Sequence, residues 1–499
     1  MSVAERWNFG LRLSILNAAV FAALSLALYV LEIRDITYPT IVEGIFTAGS
    51  LACFMVLLRN GGELAAFAFF EVAAGFYFGF GTLYSTVLYP VWFDTIFSLD
   101  DQWRLINKIN LVNAFSVTIV LIVASMICRR RASDTSTVDG IDQVGILVAP
   151  LRRPLLLISL PIVLVLFWLS FPEPENPVWR SAILLLQAIT YSAVLLCGMQ
   201  WSKLPAGEKA VALGLVVSIS LTGLFTLSKL MTLIPIGALL AGLMLDSRLS
   251  TRLLIGAGVS VLLSFIALYV LVNGSRVNYA YRLSNTFGER VVIISDTLSL
   301  ATTAVTSSAQ GSADTLQLAF NAFTRFGDAP IQGFLISNYD AGNAGNSLDY
   351  IWQILVPRAL WPDKPNISDQ GLDLDAQMSG RKTMTFLGPT YDAEAYWNGG
   401  WLDVILISIL LGCEIGWFTR KWNRFRTEGL SQVGALIFAV PILANMALLE
   451  GWVAITYVGI AVGLAGAVEI GDRFGPFLVA LMAGRAKPGP IAALPATEP

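Results

Sequence analysis

No histidine occurs anywhere in the 499 residues of this chain. That absence removes serine–histidine catalysis, histidine-ligated metals and histidine general bases together, and leaves any chemistry to Arg, Lys, Asp, Glu, Tyr or a hydroxyl. Charge is also scarce. Asp, Glu, Lys and Arg make up 13% of the chain, where a soluble domain carries roughly 25%. So few charged groups cannot wet the surface of a globule this large, so lipid must replace water as the main solvent. The net charge of −3 gives no pull toward nucleic acid, and no such partner is expected. Cysteine is thin as well: Cys53, Cys128, Cys197 and Cys413 lie inside or at the ends of apolar runs. They read as small buried hydrophobes, not as a disulfide framework. No internal repeat is visible, which withholds support from a transporter built of inverted halves. No cleavable signal peptide is expected, because the first apolar run is long enough to span and lacks a small-residue cleavage site.

What the chain has instead is apolar length. Hydrophobic residues make up 56% of it and the mean hydropathy is +0.68. Runs able to form a spanning helix of about 20 residues lie near 11–31, 38–58, 64–90, 109–128, 153–171, 180–200, 209–228, 231–246, 252–272, 401–419, 430–449 and 451–469. The expectation is an all-α polytopic membrane protein of about 12 transmembrane helices. Arg129, Arg130, Arg131, Arg152, Arg153, Arg420, Lys421, Arg424 and Arg426 cluster in connections on one side, whereas the short opposite loops hold only Arg34, Arg104, Lys108 and Arg180. The positive-inside rule then puts both termini in the cytoplasm. Residues 1–272 carry the first nine helices, 273–400 form a large, partly helical extracytoplasmic loop, 401–470 carry the last three helices, and 471–499 form a cytoplasmic tail.

The long loop is rich in Trp, Tyr, Phe and Leu, which argues against disorder. From Asp314 to Gly327 the spacing predicts a helix with Leu316, Ala319, Phe320, Phe323 and Phe326 on one face and Asn321 and Arg325 opposite. Arg325 faces an aqueous cavity or belongs to a solvated interfacial surface. Further on, Pro357, Pro362 and Pro365 stiffen a segment presenting Arg358 and Lys364. Two rigidly held cations suit a pyrophosphate; anchoring to lipid headgroups is the alternative. Just before the tenth span, Asp392 and Glu394 stand beside Tyr391, Tyr396 and Trp397. Rings with carboxylates are what sugars need, while an interfacial aromatic belt accounts for some of the rings but not for the acids. Arg276, Arg282 and Arg290 open the loop. Within the spans Glu43, Glu71, Lys229 and Glu414 are costly in lipid and are expected to face the bundle interior, with Glu414–Lys229 a candidate pair and an ion pathway a rival to an enzyme.

The run Val356-Pro-Arg-Ala-Leu-Trp-Pro-Asp-Lys-Pro365 resembles the Pro-Arg-x-x-Trp-Pro-x-Lys-Pro segment of bacterial O-antigen and exopolysaccharide repeat-unit polymerases (Wzy type). Phe323-Thr-Arg-Phe-Gly327 upstream and Gly388-Pro-Thr-Tyr-Asp-Ala-Glu-Ala-Tyr-Trp-Asn-Gly-Gly400 downstream follow in the same order. The resemblance implies a GT-C-like bundle in the bacterial inner membrane and a metal-independent glycosyltransferase without cofactors. Such an enzyme joins undecaprenyl-pyrophosphate-linked oligosaccharides outside the cytoplasm. Its implied partners are these lipid-linked substrates, membrane lipids, a chain-length regulator and the export machinery. The implied catalytic set is Arg325, Arg358 and Glu394. Arg276, Arg282 and Lys364 assist on the pyrophosphate, Asp392 is an alternative to Glu394 at the acceptor, and Tyr396 and Trp397 hold sugar rings. Related O-antigen ligases often use a histidine, which this chain lacks. A lipid-linked sugar flippase or transporter and a non-catalytic export component stay open.

Overall fold

The computed structural model describes residues 3–59, 64–88, 97, 99–128, 140–169, 177–226, 229–245, 256, 259, 287–306, 328–354, 356, 360–361, 364, 369–380, 387–428, 433–447 and 449–482. Among them 89% are helical and no strand occurs. Among the described residues six helical stretches are long and apolar enough to cross a membrane: Trp7–Val30, Thr37–Leu58, Ala65–Val87, Gln102–Cys128, Ala206–Phe225 and Tyr391–Phe425.

The N-terminal group consists of α1 (Val3–Val30), α2 (Thr37–Arg59), α3 (Ala65–Ala74) and α4 (Leu99–Cys128). Past Ala74, α3 runs on through the π-helical stretches Gly75–Phe80 and Tyr84–Leu88. The glycines of this stretch have a packing reason. A Cβ at Gly75 would lie 2.6 Å from the Cβ of Ser50, and one at Gly79 would lie 2.2 Å from Thr47 Oγ1. Only glycine lets α3 lie this close to α2. α1 leaves Leu16, Val20, Leu24 and Leu26 exposed, the surface expected where lipid replaces water.

α4 is the hub, and its polar residues recur every third position: Asn107, Asn110, Asn113 and Ser116. Each i+3 step turns about 300°, so the four side chains wind around the helix and meet four different neighbours. Asn107 Nδ2 donates to the Ile33 carbonyl (3.0 Å) just beyond α1, and Asn110 Nδ2 to Glu43 Oε1 on α2 (2.8 Å). Asn113 Nδ2 donates to Gln332 Oε1 (3.2 Å), and Ser116 Oγ to Tyr391 Oη (2.7 Å).

A second group holds α5 (Gly140–Leu169), α6 (Pro177–Met199), α7 (Ala206–Phe225) and α8 (Lys229–Leu245). These helices overlap the expected spans 153–171, 180–200, 209–228 and 231–246, and of them Ala206–Phe225 is long and apolar enough to cross; the expected span 252–272 lies outside the described residues apart from Gly256 and Val259. α6 and α8 cross glycine on glycine, a Cβ at Gly198 falling 2.7 Å from Gly242 Cα. Small residues at such a crossing allow backbone contact.

The loop contributes α9 (Phe287–Thr306), α10 (Ala329–Asp340) and α11 (Asp369–Ser379). Nearly buried Arg290 donates to the Phe225 carbonyl (3.3 Å). It thereby ties α9 to the C-terminal end of α7, where a cation is favoured. α12 (Tyr391–Glu428) lies along α4. The helix expected over 314–327 lies outside the described residues.

The expected single span 430–449 is two pieces, α13 (Val433–Ile437) and α14 (Ala439–Met446), parted at Phe438. Pro441 explains the break: it has no N–H to give the carbonyl four residues back, and its ring crowds that carbonyl. The carbonyl in question belongs to Ile437. The Ser192 hydroxyl of α6 lies 2.6 Å from it and 3.1 Å from that of Leu436, so the freed acceptor is satisfied inside protein, as a membrane interior requires. The π-helical stretch Ala454–Ile460 leads into α15 (Ala461–Met482). Midway along α15, Glu469 pairs with Lys421 of α12 (2.7 Å), and Asp472 accepts the Ala435 N–H (3.1 Å).

Candidate functional site

Residues 387–400 are seated by the chain that follows α14. Thr390 pairs with Glu450 in an isolated antiparallel bridge; Tyr391 N–H donates to the Leu449 carbonyl (3.2 Å) and Gly451 N–H to that of Pro389 (2.8 Å). α12 begins directly afterwards and carries Asp392, Glu394, Tyr396 and Trp397 in its first two turns. At Gly399 and Gly400 it kinks. Gly400 has φ +62° and ψ −142°, a conformation essentially reserved for glycine. Tyr339 Oη would also lie 2.6 Å from any Cβ there. The kink separates the short acid-bearing helix from the apolar remainder of α12.

Glu394 is fully buried, and both its oxygens are engaged. Oε1 accepts from Ser347 Oγ (2.6 Å) and Oε2 from the Val453 N–H (2.6 Å). Asn398 strengthens the same junction. Its Nδ2 donates to Ser347 Oγ (2.8 Å) and to the Glu394 carbonyl (2.8 Å), while its Oδ1 accepts the Leu348 N–H (3.1 Å). Glu394 therefore fastens three segments: the start of α12, the 3₁₀ turn Ser347–Tyr350, and the chain at Val453. Asp392 differs. It is equally buried, with the Thr390 hydroxyl and the N–H groups of Asp392 and Ala393 turned toward its carboxylate but no well-aligned bond to either oxygen. Beside it Gln332 Nε2 donates to Thr390 Oγ1 (3.0 Å), so a buried amide–hydroxyl chain runs from Asn113 through Gln332 to the residue two before Asp392. A spacing of two turns about 200° around a helix, which sends the two acids to opposite sides.

Tyr396 is buried in a polar and aromatic box. Its Oη lies 3.2 Å from Asp340 Oδ1, Lys108 pairs with Asp340, and the Lys108 ammonium sits 5.0 Å above the Tyr396 ring. Tyr339 and Trp401 meet it edge-on at 5.2 and 5.5 Å. Trp397 is half-buried, donates from Nε1 to the Asn343 carbonyl (3.2 Å) and covers Gly345, where a Cβ would lie 2.4 Å from the indole. The expected sugar-holding rings thus also lock α10 and the loop after it onto α12.

In the proline-rich segment Lys364 donates to the main-chain carbonyls of Val356 (3.0 Å) and Ile354 (3.4 Å). These contacts tie Lys364 back to the end of the short helix Ile351–Ile354 and to Val356. Trp352 and Trp361 stack at 5.7 Å with a 17° tilt. Trp352 is 58% and Leu360 78% exposed.

Of the residues singled out in the sequence, Asp392, Glu394, Tyr396 and Trp397 share one short helix, and Lys364 is bonded to the backbone of Ile354 and Val356. Arg276, Arg282, Arg325 and Arg358 lie outside the described residues, as does the Lys229 side chain. Glu414 accepts from Asn445 Nδ2 (3.4 Å). Ser347, Asn398, Gln332 and the Lys108–Asp340 pair were not anticipated. For the last of these the signal was a lysine set at the end of an apolar run; for the others, polar residues inside apolar helices and turns. No family model, curated protein or solved structure matches this chain.

Proposed function

We propose that this chain is a polysaccharide repeat-unit polymerase: a GT-C-like bundle of twelve spans in the bacterial inner membrane, both termini cytoplasmic, acting at its outer face. The observation that carries this reading is the 387–400 segment. There two buried acids and three aromatic residues stand on a short helix fastened to the Ser347 turn, within the stretch whose sequence resembles those polymerases.

The reaction breaks the bond between the anomeric carbon of the donor glycan and its undecaprenyl pyrophosphate. It forms a glycosidic bond to a hydroxyl of the next lipid-linked repeat unit. The hydroxyl proton leaves, and the pyrophosphate departs with the bonding electron pair. Arg325 and Arg358, helped by Arg276 or Arg282, stabilise charge on that leaving group, since preorganised cations at developing charge supply the largest part of such catalysis. Lys364 is committed to the Ile354 and Val356 carbonyls and acts by holding the backbone there. Between the two acids, Asp392 is the one without a well-aligned bond on its carboxylate and takes the proton, while Glu394, bonded through both oxygens, holds the helix that carries it. Trp397 and the stacked Trp352–Trp361 pair offer ring faces to sugars.

A lipid-sugar flippase is the second reading, favoured by three glutamate–asparagine pairs among the helices: Glu43–Asn110, Glu71–Asn17 and Glu414–Asn445. Deletion of the gene in its own host separates the two. For a polymerase, single repeat units are still exported and long polymer disappears, returning with the wild-type gene. Loss of all export favours the flippase, and unchanged polymer overturns both.

A further inference from the structure

Between the Ser347 turn and Lys364 the chain turns large apolar side chains outward. Trp352, on the short helix Ile351–Ile354, and Leu360 are both well exposed. Trp361, stacked on Trp352, is half-buried. The attachments of this segment fix its height. The Leu348 N–H donates to Asn398 Oδ1 (3.1 Å), and three residues further on the exposed apolar face of α12 begins with Trp401, Leu402, Leu406 and Leu410. The helix Ile351–Ile354 packs against the π-helical stretch Ala454–Ile460. Its last residue, Ile460, opens with Val462 the exposed apolar face of α15. The outward tryptophan and leucine therefore stand where two lipid-facing helix surfaces start.

The main chain of this segment is fitted to surroundings poor in water. The Val356 N–H donates to the Gln353 carbonyl (3.1 Å) and the Lys364 N–H to that of Trp361 (3.2 Å). The Lys364 ammonium takes up the carbonyls of Ile354 and Val356. Pro357, Pro362 and Pro365 have no N–H to leave unpaired. A loop in water has no need of such internal pairing, whereas a backbone in contact with lipid does. Tryptophan rings favour the boundary between headgroups and acyl chains. The charges of Arg358 and Asp363 in the same stretch suit the headgroup region and not the hydrocarbon core. We propose that the Trp352–Leu360–Trp361 edge is inserted into the bilayer interface on the side where α12 begins. It is an anchor that lipid covers, and it holds the segment after the Ser347 turn against the membrane. This inference does not rest on the polymerase reading, and its test involves no polymer.

The test attaches a nitroxide to Leu360→Cys in the full chain, held in phosphatidylcholine–phosphatidylglycerol nanodiscs. Collision rates with oxygen, which concentrates in lipid, and with a water-soluble nickel chelate are read from the saturation of the spectrum. The four native cysteines are buried or half-buried, and labelled wild type serves as the blank. Leu402→Cys on the exposed face of α12 is the lipid reference, and Gln377→Cys, exposed on polar α11, is the water reference. The Leu360→Cys label is expected to meet oxygen about as often as the Leu402→Cys label and nickel several-fold less often than the Gln377→Cys label. Should the Leu360→Cys protein not fold, Trp352→Cys is read in the same way. Nickel collisions on the scale of the Gln377→Cys label overturn the proposal, because the edge then lies in water. Shielding from both reagents overturns it as well, since protein and not lipid then covers the edge.

Discussion

Arg358→Ala is expected to lower polymer formation by roughly 10²–10³-fold while leaving the protein in the membrane at its normal level, and Arg325→Ala to do the same. In the proposed reaction the departing pyrophosphate is a good leaving group that needs no acid, so its charge is the main thing left to stabilise. A guanidinium does this through two parallel N–H donors matched to phosphate oxygens. Arg358→Lys keeps the charge but loses the fork, and recovers only part of the rate. The measurement is polymer length against time in the deletion strain, with protein abundance followed in parallel. Normal polymer from both alanine variants would remove the arginines from the chemistry.

Glu394→Ala is expected to act on stability. It strands the Ser347 hydroxyl and the Val453 N–H in a site with no solvent, and each orphaned buried donor costs about 1–3 kcal/mol. Relief from burying a carboxylate offsets part of this, so the net loss is roughly 2–4 kcal/mol. Glu394→Gln keeps the shape and an acceptor oxygen and loses less. Ser347→Ala removes one donor, and combined with Glu394→Ala it costs less than the sum, because the two residues share one bond. Thermal unfolding of the four proteins in one detergent is the check. If Glu394→Ala unfolds like wild type, Glu394 does not fasten the site. If Glu394→Gln folds normally yet loses polymerisation with a changed pH profile, the proton acceptor is Glu394, not Asp392.

The helical, membrane-embedded character could be read from the sequence because it follows from a simple quantity, the length of apolar runs. Where hydrogen bonding decides the outcome, hydropathy alone misleads. The run 430–449 is apolar throughout, but Pro441 breaks it, and the break is tolerable only because Ser192, far away in sequence, supplies a donor to Ile437. The every-third-residue repeat of Asn107, Asn110, Asn113 and Ser116 is plain in the sequence; its four partners depend on how the helices assemble. At the candidate site the spacing of Asp392 and Glu394 already implies opposite helix faces, but not which face meets the Ser347 turn. Lys364 looked like a phosphate ligand because charge is visible in a sequence and nearby carbonyls are not. The fold shows two of its donors on the backbone of Ile354 and Val356.

Reconstitution of the pure protein with a single lipid-pyrophosphate-linked repeat unit puts the polymerase reading to its plainest trial. Products are resolved by mass, and released undecaprenyl pyrophosphate is counted. A ladder rising by whole repeat units, with one lipid pyrophosphate set free per bond formed, is the predicted result. Repeat units that cross the bilayer or stay bound, with no new glycosidic bond and no lipid pyrophosphate released, would contradict it.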